Sequence, residues 1–479
     1  MRPIENGRKH LVVIQRTRKS IGTAVAGAVT VGALVVVGSL LAPAAPAAAV
    51  TLDLKSDFGA VGDGVADDTA EIQAALDAGE RVDVPAGTYR VTGNLTLTTS
   101  SWLRGVGATS VIDVEGDYEF FGDGADNVSL TTMKIKRSVG ANTATKSLIR
   151  LWRSSGVTFD GLTITGTRTT SPTISVLGRW EDTSDANTCS DIRITNNNIQ
   201  DYQRIEAGGL GAGSGQGIKG TGVLLGHCKV FDVSGNTVIE NQRFIGPTDS
   251  YQNFQGAGIT VASSKYGVVS QNHVNYAGQG IDIGGGYNVP DRSTDDTNQD
   301  TTEGFRGSTF VSVHDNLIED IYGPAIKLVN GATGNSITDN VIENPGLTGV
   351  WITAGNSAAK DLSITRENII SGNTITDPGT GPGGAAWLQD AAGSGIVFEI
   401  VNPNGPYVNA DPRPRYNTVT RNTITSTTGD MPYGITDAGT QSETGQQYAY
   451  NNYIISNSIS GWSLARDSID PARNFAFNQ

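Results

Sequence analysis

The residues able to do chemistry gather around one apolar motif. In the segment GQGIDIGGG a single carboxylate, Asp282, interrupts an apolar alternation. The stretch behind it, DRSTDDTNQDTTEG, brings Asp291, Asp295, Asp296, Asp300 and Glu303. Two carboxyls about 5–5.5 Å or 6.5–9.5 Å apart can cleave a glycosidic bond, and Asp282 with an acid of this loop, Glu303 among them, makes such a pair. Oxygen ligands in this number also admit Ca2+, although no cofactor is required by the reading. Taken singly, the loop acids read as a solvated surface; Asp282, inside a strand pattern, does not.

The same local pattern recurs along the chain. GTGVLLG, GAGITVA, GQGIDIG, GPAIKLV, LTGVWIT, GSGIVFEI and PYGITDA each hold an apolar pair separated by one residue. In a strand the pair points inward and the middle residue outward. The outward set is Leu224, Thr260, Asp282, Lys327, Trp351, Val397 and Thr436, and Arg150 in LIRLW fits it; Glu399, two residues past Val397, also points outward. Lys327 beside Asp282 suits proton chemistry next to a uronate carboxyl, but an adjacent carboxylate favours the charged ammonium and opposes a basic role. Thr260, Trp351, Tyr287 and Glu399 read as substrate contacts, with the Trp351 ring offering a face to a sugar, extended by Tyr287 and by Tyr251 and Trp387. Asp282 and Glu399 stand three coils apart, about 14 Å at the strand spacing, too far to be the glycosidase pair.

What positions this column is a repeat. ITNNNI, VSGNTV, VSQNHV, VHDNLI, ITDNVI, ISGNTI, VTRNTI and IISNSI carry Asn197, Asn236, Asn272, Asn316, Asn340, Asn373, Asn422 and Asn457, at spacings of 39, 36, 44, 24, 33, 49 and 35. A short minimum with large additions describes one coil per turn plus loops of free length, a β-solenoid whose coils bury their inner faces on one another. Asn tolerates the left-handed bend and can hydrogen-bond the next Asn, so the eight read as a structural ladder. His273 and His314 lie at these bends and read as structural. Six insertions precede or follow the column strand, so they should wall a cleft floored by it, with Gln242–Gln255 and Gly284–Gly307 nearest Asp282. Cys189 and Cys228 share one offset before the ladder Asn on neighbouring coils, which predicts a disulfide.

The opening DFGAVGDGVADDTAEIQAAL holds four aspartates, yet its spacing fits no EF-hand. Asp68, Glu71, Ile72, Ala75 and Leu76 read as a helix start with a capping box, a helix over about Asp68–Asp77. With VDVPAGTYRV and LRGVGATSVI, this segment resembles the N-terminal cap of the pectate-lyase-like right-handed β-helix superfamily, which includes polygalacturonases, rhamnogalacturonases, alginate epimerases and phage tailspikes. The resemblance implies an all-β right-handed parallel β-helix with a short capping helix, and makes the opening aspartates architectural. It covers residues 53–112, and the repeat carries it to about 461. The polygalacturonase aspartate, Gly-His-Gly and Arg-Ile-Lys set is absent, as is the epimerase-type Asp-Pro-His-Glu, of which only Asp282 has a counterpart.

Residues 1–49 read as a signal peptide, a basic leader before a long apolar run ending in Ala47–Ala49, and 50–479 as the β-helix, with 50–112 its cap and first coils. The formal charge of −14 includes +5 from the leader (six basic residues, one acid), so the chain beyond it carries −19. That charge disfavours nucleic acid and anionic membranes. The expected protein is secreted, free of the membrane after cleavage, with an extracellular polysaccharide as partner. Its expected activity is hydrolytic degradation of that glycan in a groove on one sheet. A lyase or epimerase on uronate glycans and a non-catalytic glycan-binding β-helix are the alternatives.

Overall fold

The computed structural model describes residues 51–138, 143–178, 187–205, 218–241, 256–285, 307–353, 364–382, 392–399, 413–438, 440–442, 445–469 and 473–477. The leader, most of each insertion, and with them Tyr287, Glu303 and the proposed cleft walls, lie outside the described residues. Among the described residues no helix is long and apolar enough to cross a membrane.

Two parallel sheets wind together into the solenoid, one of 25 strands and one of 12. In the smaller sheet the strands follow one another in chain order, from Leu95–Thr96 through Val223–Gly226, Ala257–Ala262, Gln279–Gly284, Ile326–Leu328, Val350–Thr353 and Ile396–Glu399 to Trp462–Ser468. The inward pairs of the motif stack in two files. One runs Val223, Ile259, Ile281, Ile326, Val350, Ile396, Ile435 and the other Leu225, Val261, Ile283, Leu328, Ile352, Phe398, every member fully buried. A glycine stands ahead of six of the seven pairs, Ala325 ahead of the other, and it has a packing cause: a Cβ on Gly222 would stand 2.5 Å from Val238, and one on Gly349 2.6 Å from Ile375. On these coils the strand lies too close to the opposite wall for a side chain.

All eight ladder asparagines stack in one row. Each of the first seven donates from Nδ2 to the Oδ1 of the next at 2.8–3.0 Å. The left-handed bend, however, belongs to the residue before each of them: Asn196, Gly235, Gln271, Asp315, Asp339, Gly372, Arg421 and Ser456 have φ between 54° and 71°. The ladder Asn is chosen for its amide, not for the bend. A second row, Asn335, Asn368, Asn417, Asn452 and Asn474, bonds in the same way at 3.0–3.1 Å and went unread in the sequence. Its signal was an Asn five positions ahead of the ladder Asn in the later coils.

The cap helix spans Thr69–Asp77 and buries Ile72, Ala75 and Leu76 over the open end of the solenoid. Asp68 sits at its N-cap but makes no side-chain cap bond, and the capping box with Glu71 does not form. The Asp68 carboxylate instead accepts from the Val61 and Gly62 amides at 2.6 and 3.2 Å, a loop it holds against the helix start. Asp67 accepts from Thr69 and Thr92, and Asp63 from Val65 and Ala66. The opening aspartates are thus structural. Cys189 and Cys228 are register partners on adjacent strands and form the disulfide, with Cα atoms 4.4 Å apart.

Candidate functional site

The outward column exists as a continuous register. Leu224, Thr260, Asp282, Lys327, Trp351, Val397 and Thr436 are successive partners across seven strands of the smaller sheet. Arg150 continues it through Ser175. There the guanidinium forks onto Glu119 at 2.9 and 3.0 Å and lies 4.5 Å from the Phe121 ring centre, a structural anchor. Glu399 faces Thr353, one alternation further along the sheet.

The floor is zoned. On one side Leu224 packs with Leu177, Ala262 and Trp152; on the other Trp351 packs with Leu347, Ala392 and Val397. Half-buried Thr260, Asp282 and Lys327 form the polar centre between these apolar flanks. Trp351 is only 4% exposed, so its ring is a packed wall more than an open platform, and the Lys327 ammonium stands 5.4 Å from its centre. That contact fixes the lysine from one side.

Electrostatics join residues that the sequence kept apart. Burial pushes the Asp282 carboxyl above the usual aspartate range, and Lys327 opposes this without reversing it. Asp282 Oδ1 has no hydrogen-bond partner among the described residues. Burial also lifts Glu399, to about 7, against the lowering pull of the Trp351 indole N–H and of Lys327. Lys327 therefore acts on both carboxyls, with Asp282 to one side and Trp351 and Glu399 to the other. Sequence reading placed Glu399 outward and gave it only a binding role, because the groups that tune it arrive from earlier coils. Among the described residues no cluster of three or more His, Cys, Asp or Glu side chains could hold a metal ion. The acidic loop read as a calcium candidate lies outside them.

A family model described as rhamnogalacturonase A/epimerase, pectate lyase-like, matches residues 56–288, and one described as right handed beta helix region matches 217–375. This chain is a pectate-lyase-like right-handed β-helix. Mannuronan C5-epimerase AlgE5 of Azotobacter vinelandii is 49% identical over 63 residues, 11% of this chain and 6% of that protein. AlgE2 of the same organism is 64% identical over 42 residues, 8% of this chain and 4% of the relative. The matched stretches are thus a small part of either relative. Among solved structures, the A-module of mannuronan C-5 epimerase AlgE6 from A. vinelandii aligns with a TM-score of 0.56 at 16% identity, covering 89% of this chain and 98% of that one. A tailspike of E. coli bacteriophage HK620 in complex with a pentasaccharide aligns at 0.52 and 12% identity, covering 81% and 66%. At such identities the likeness is one of fold.

Proposed function

We propose that this β-helix is an exported polysaccharide-modifying enzyme that moves a proton at the carbon next to a uronate carboxyl. The observation that carries the reading is Glu399: a half-buried carboxyl at about 7, coupled through Lys327 to the polar floor of a continuous outward column. A general base is most effective when its pKa lies near the working pH. In its ionised form Glu399 takes the proton, and the electron pair moves into the adjacent carboxyl group. Lys327 supplies the positive charge that this developing dianion needs. A proton returned from water to the opposite face inverts the carbon; breaking of the neighbouring C–O bond, with the departing oxygen taking a proton from water, instead leaves an unsaturated uronate. Burial raises the Asp282 carboxyl above the usual aspartate range, which lessens its repulsion of the carboxylate on the next sugar.

The names of the epimerase relatives and the tailspike complex support a polysaccharide as substrate. Hydrolysis is less well supported. Asp282 and Glu399 are separated by three strand steps, about 14 Å, and the alternative partner Glu303 is outside the described residues. The test is a product screen on polymannuronate, other polyuronates and neutral glucans. The expected result is altered uronate composition, or absorbance in the unsaturated-uronate band, on polyuronates alone. New reducing ends without that absorbance, or turnover of neutral glucans, would overturn the proton-transfer reading in favour of hydrolysis.

A further inference from the structure

A second candidate surface lies on the bend that follows the smaller sheet. Successive coils place Lys229, Lys265, Thr309, Thr333, Arg366 and Arg415 in one register. No acid occurs in this file, although the chain carries a formal −14. The next residue on each coil is Val230, Tyr266, Phe310, Gly334, Glu367 or Tyr416, and all six have φ between 55° and 66°. Glu367, 3.8 Å from Arg366, is the one carboxylate among them.

The aromatic residues are badly placed for folding alone. A bulky side chain in the left-handed region costs roughly 1–2 kcal/mol relative to glycine, and burial does not offset it, since Tyr266 is 57% and Phe310 59% exposed. Their rings stack with centres 5.6 Å apart and planes within 3°, an exposed aromatic ladder along the bend. The left-handed backbone itself recurs at this bend on neighbouring coils, as at Asp191 and Asn451; what burial leaves unexplained is the choice of large aromatic side chains there. A cationic file beside exposed aromatic side chains complements a chain of sugars that carry carboxylates, aromatic surface for the pyranose and ammonium and guanidinium groups for the acid. Arg415 already donates to the Tyr450 hydroxyl at 2.7 Å.

We infer that this edge is a second binding site for an anionic polysaccharide, separate from the Asp282–Lys327 floor. It spans five strand steps from Lys229 to Arg415, about 24 Å, enough to hold several sugar units of one chain while the floor works on another stretch. The ligand class rests on the polyuronate reading of the floor; the binding itself requires no turnover.

The test is retention of the full chain on polymannuronate in native gels at increasing salt, with dextran and single-stranded DNA as competitors. Two double variants are compared with the parent: Lys265→Ser with Arg366→Ser, and Tyr266→Asn with Phe310→Asn. Asn suits the left-handed backbone, so the aromatic variant should melt no lower than the parent, which controls for folding. Both variants should bind at least fivefold more weakly. Only the charge variant should lose salt dependence, and turnover of short oligouronates should be unchanged in both. Parent-like retention of both variants would overturn the proposal, as would displacement by DNA but not by free polymannuronate. If polymannuronate is bound through this edge but never converted, the edge stands and the catalytic reading falls; conversion with unchanged binding in both variants gives the reverse.

Discussion

Glu399 makes the sharpest claims at the scale of single residues. An unfolded glutamate ionises near 4.5, whereas the folded one does so at about 7, so the folded chain keeps the extra proton across that window. Stability is then greatest below 4.5, falls as pH rises through the window, and stays reduced above it. The displacement is worth at most about 3 kcal/mol. Glu399→Gln should flatten this dependence and stabilise the chain above pH 7, as measured by denaturant midpoints across pH. As a base, Glu399 should give kcat/KM an ascending limb centred near 7, and Glu399→Gln should cost about 10²–10⁴ in rate. Asp282→Asn removes any charge at this position and should lower kcat/KM less than about tenfold, the scale of one modest hydrogen bond. Complete loss with Asp282→Asn beside an active Glu399→Gln would move the catalysis to Asp282 and its following loop.

Elements carry the fold through shared amides. Asn340 accepts from Asn316 N and Nδ2 at 3.1 and 2.8 Å and donates to Val313 O and Asn373 Oδ1 at 3.0 and 2.9 Å. Asn340→Ala orphans buried groups on both neighbouring coils and should destabilise by about 2–4 kcal/mol in urea unfolding, one to two unsatisfied groups' worth. Asp339→Gly, one residue earlier, meets a backbone at φ 55° and should be neutral or stabilising. Period-2 alternation made the column legible, since Asp282, Lys327 and Trp351 face outward only if the flanking apolar residues face inward. The Asn spacing likewise revealed the stacking of the coils from Asn197 onward and the register of the disulfide. The Asp68 cap was misread because its carboxylate had a nearer competitor, the amides of its own loop. Glu399 was undervalued because its pKa depends on Trp351 and Lys327, brought beside it only by winding.

For the whole molecule, an acidic solenoid is proposed to work on an acidic polymer. That is reasonable only if local cations and protonated carboxyls outweigh the net charge, so activity should rise with moderate salt before falling as the Lys327 contact is screened. A monotonic decline from the lowest salt would point to attraction dominated by a basic surface instead. The most direct measurement of the central claim is deuterium uptake. In D2O, polymannuronate treated with the chain should gain deuterium at the carbon bearing the carboxyl, seen as loss of that proton signal by NMR, with uptake abolished in Glu399→Gln. Chain cleavage or binding with no deuterium at that carbon would contradict the account.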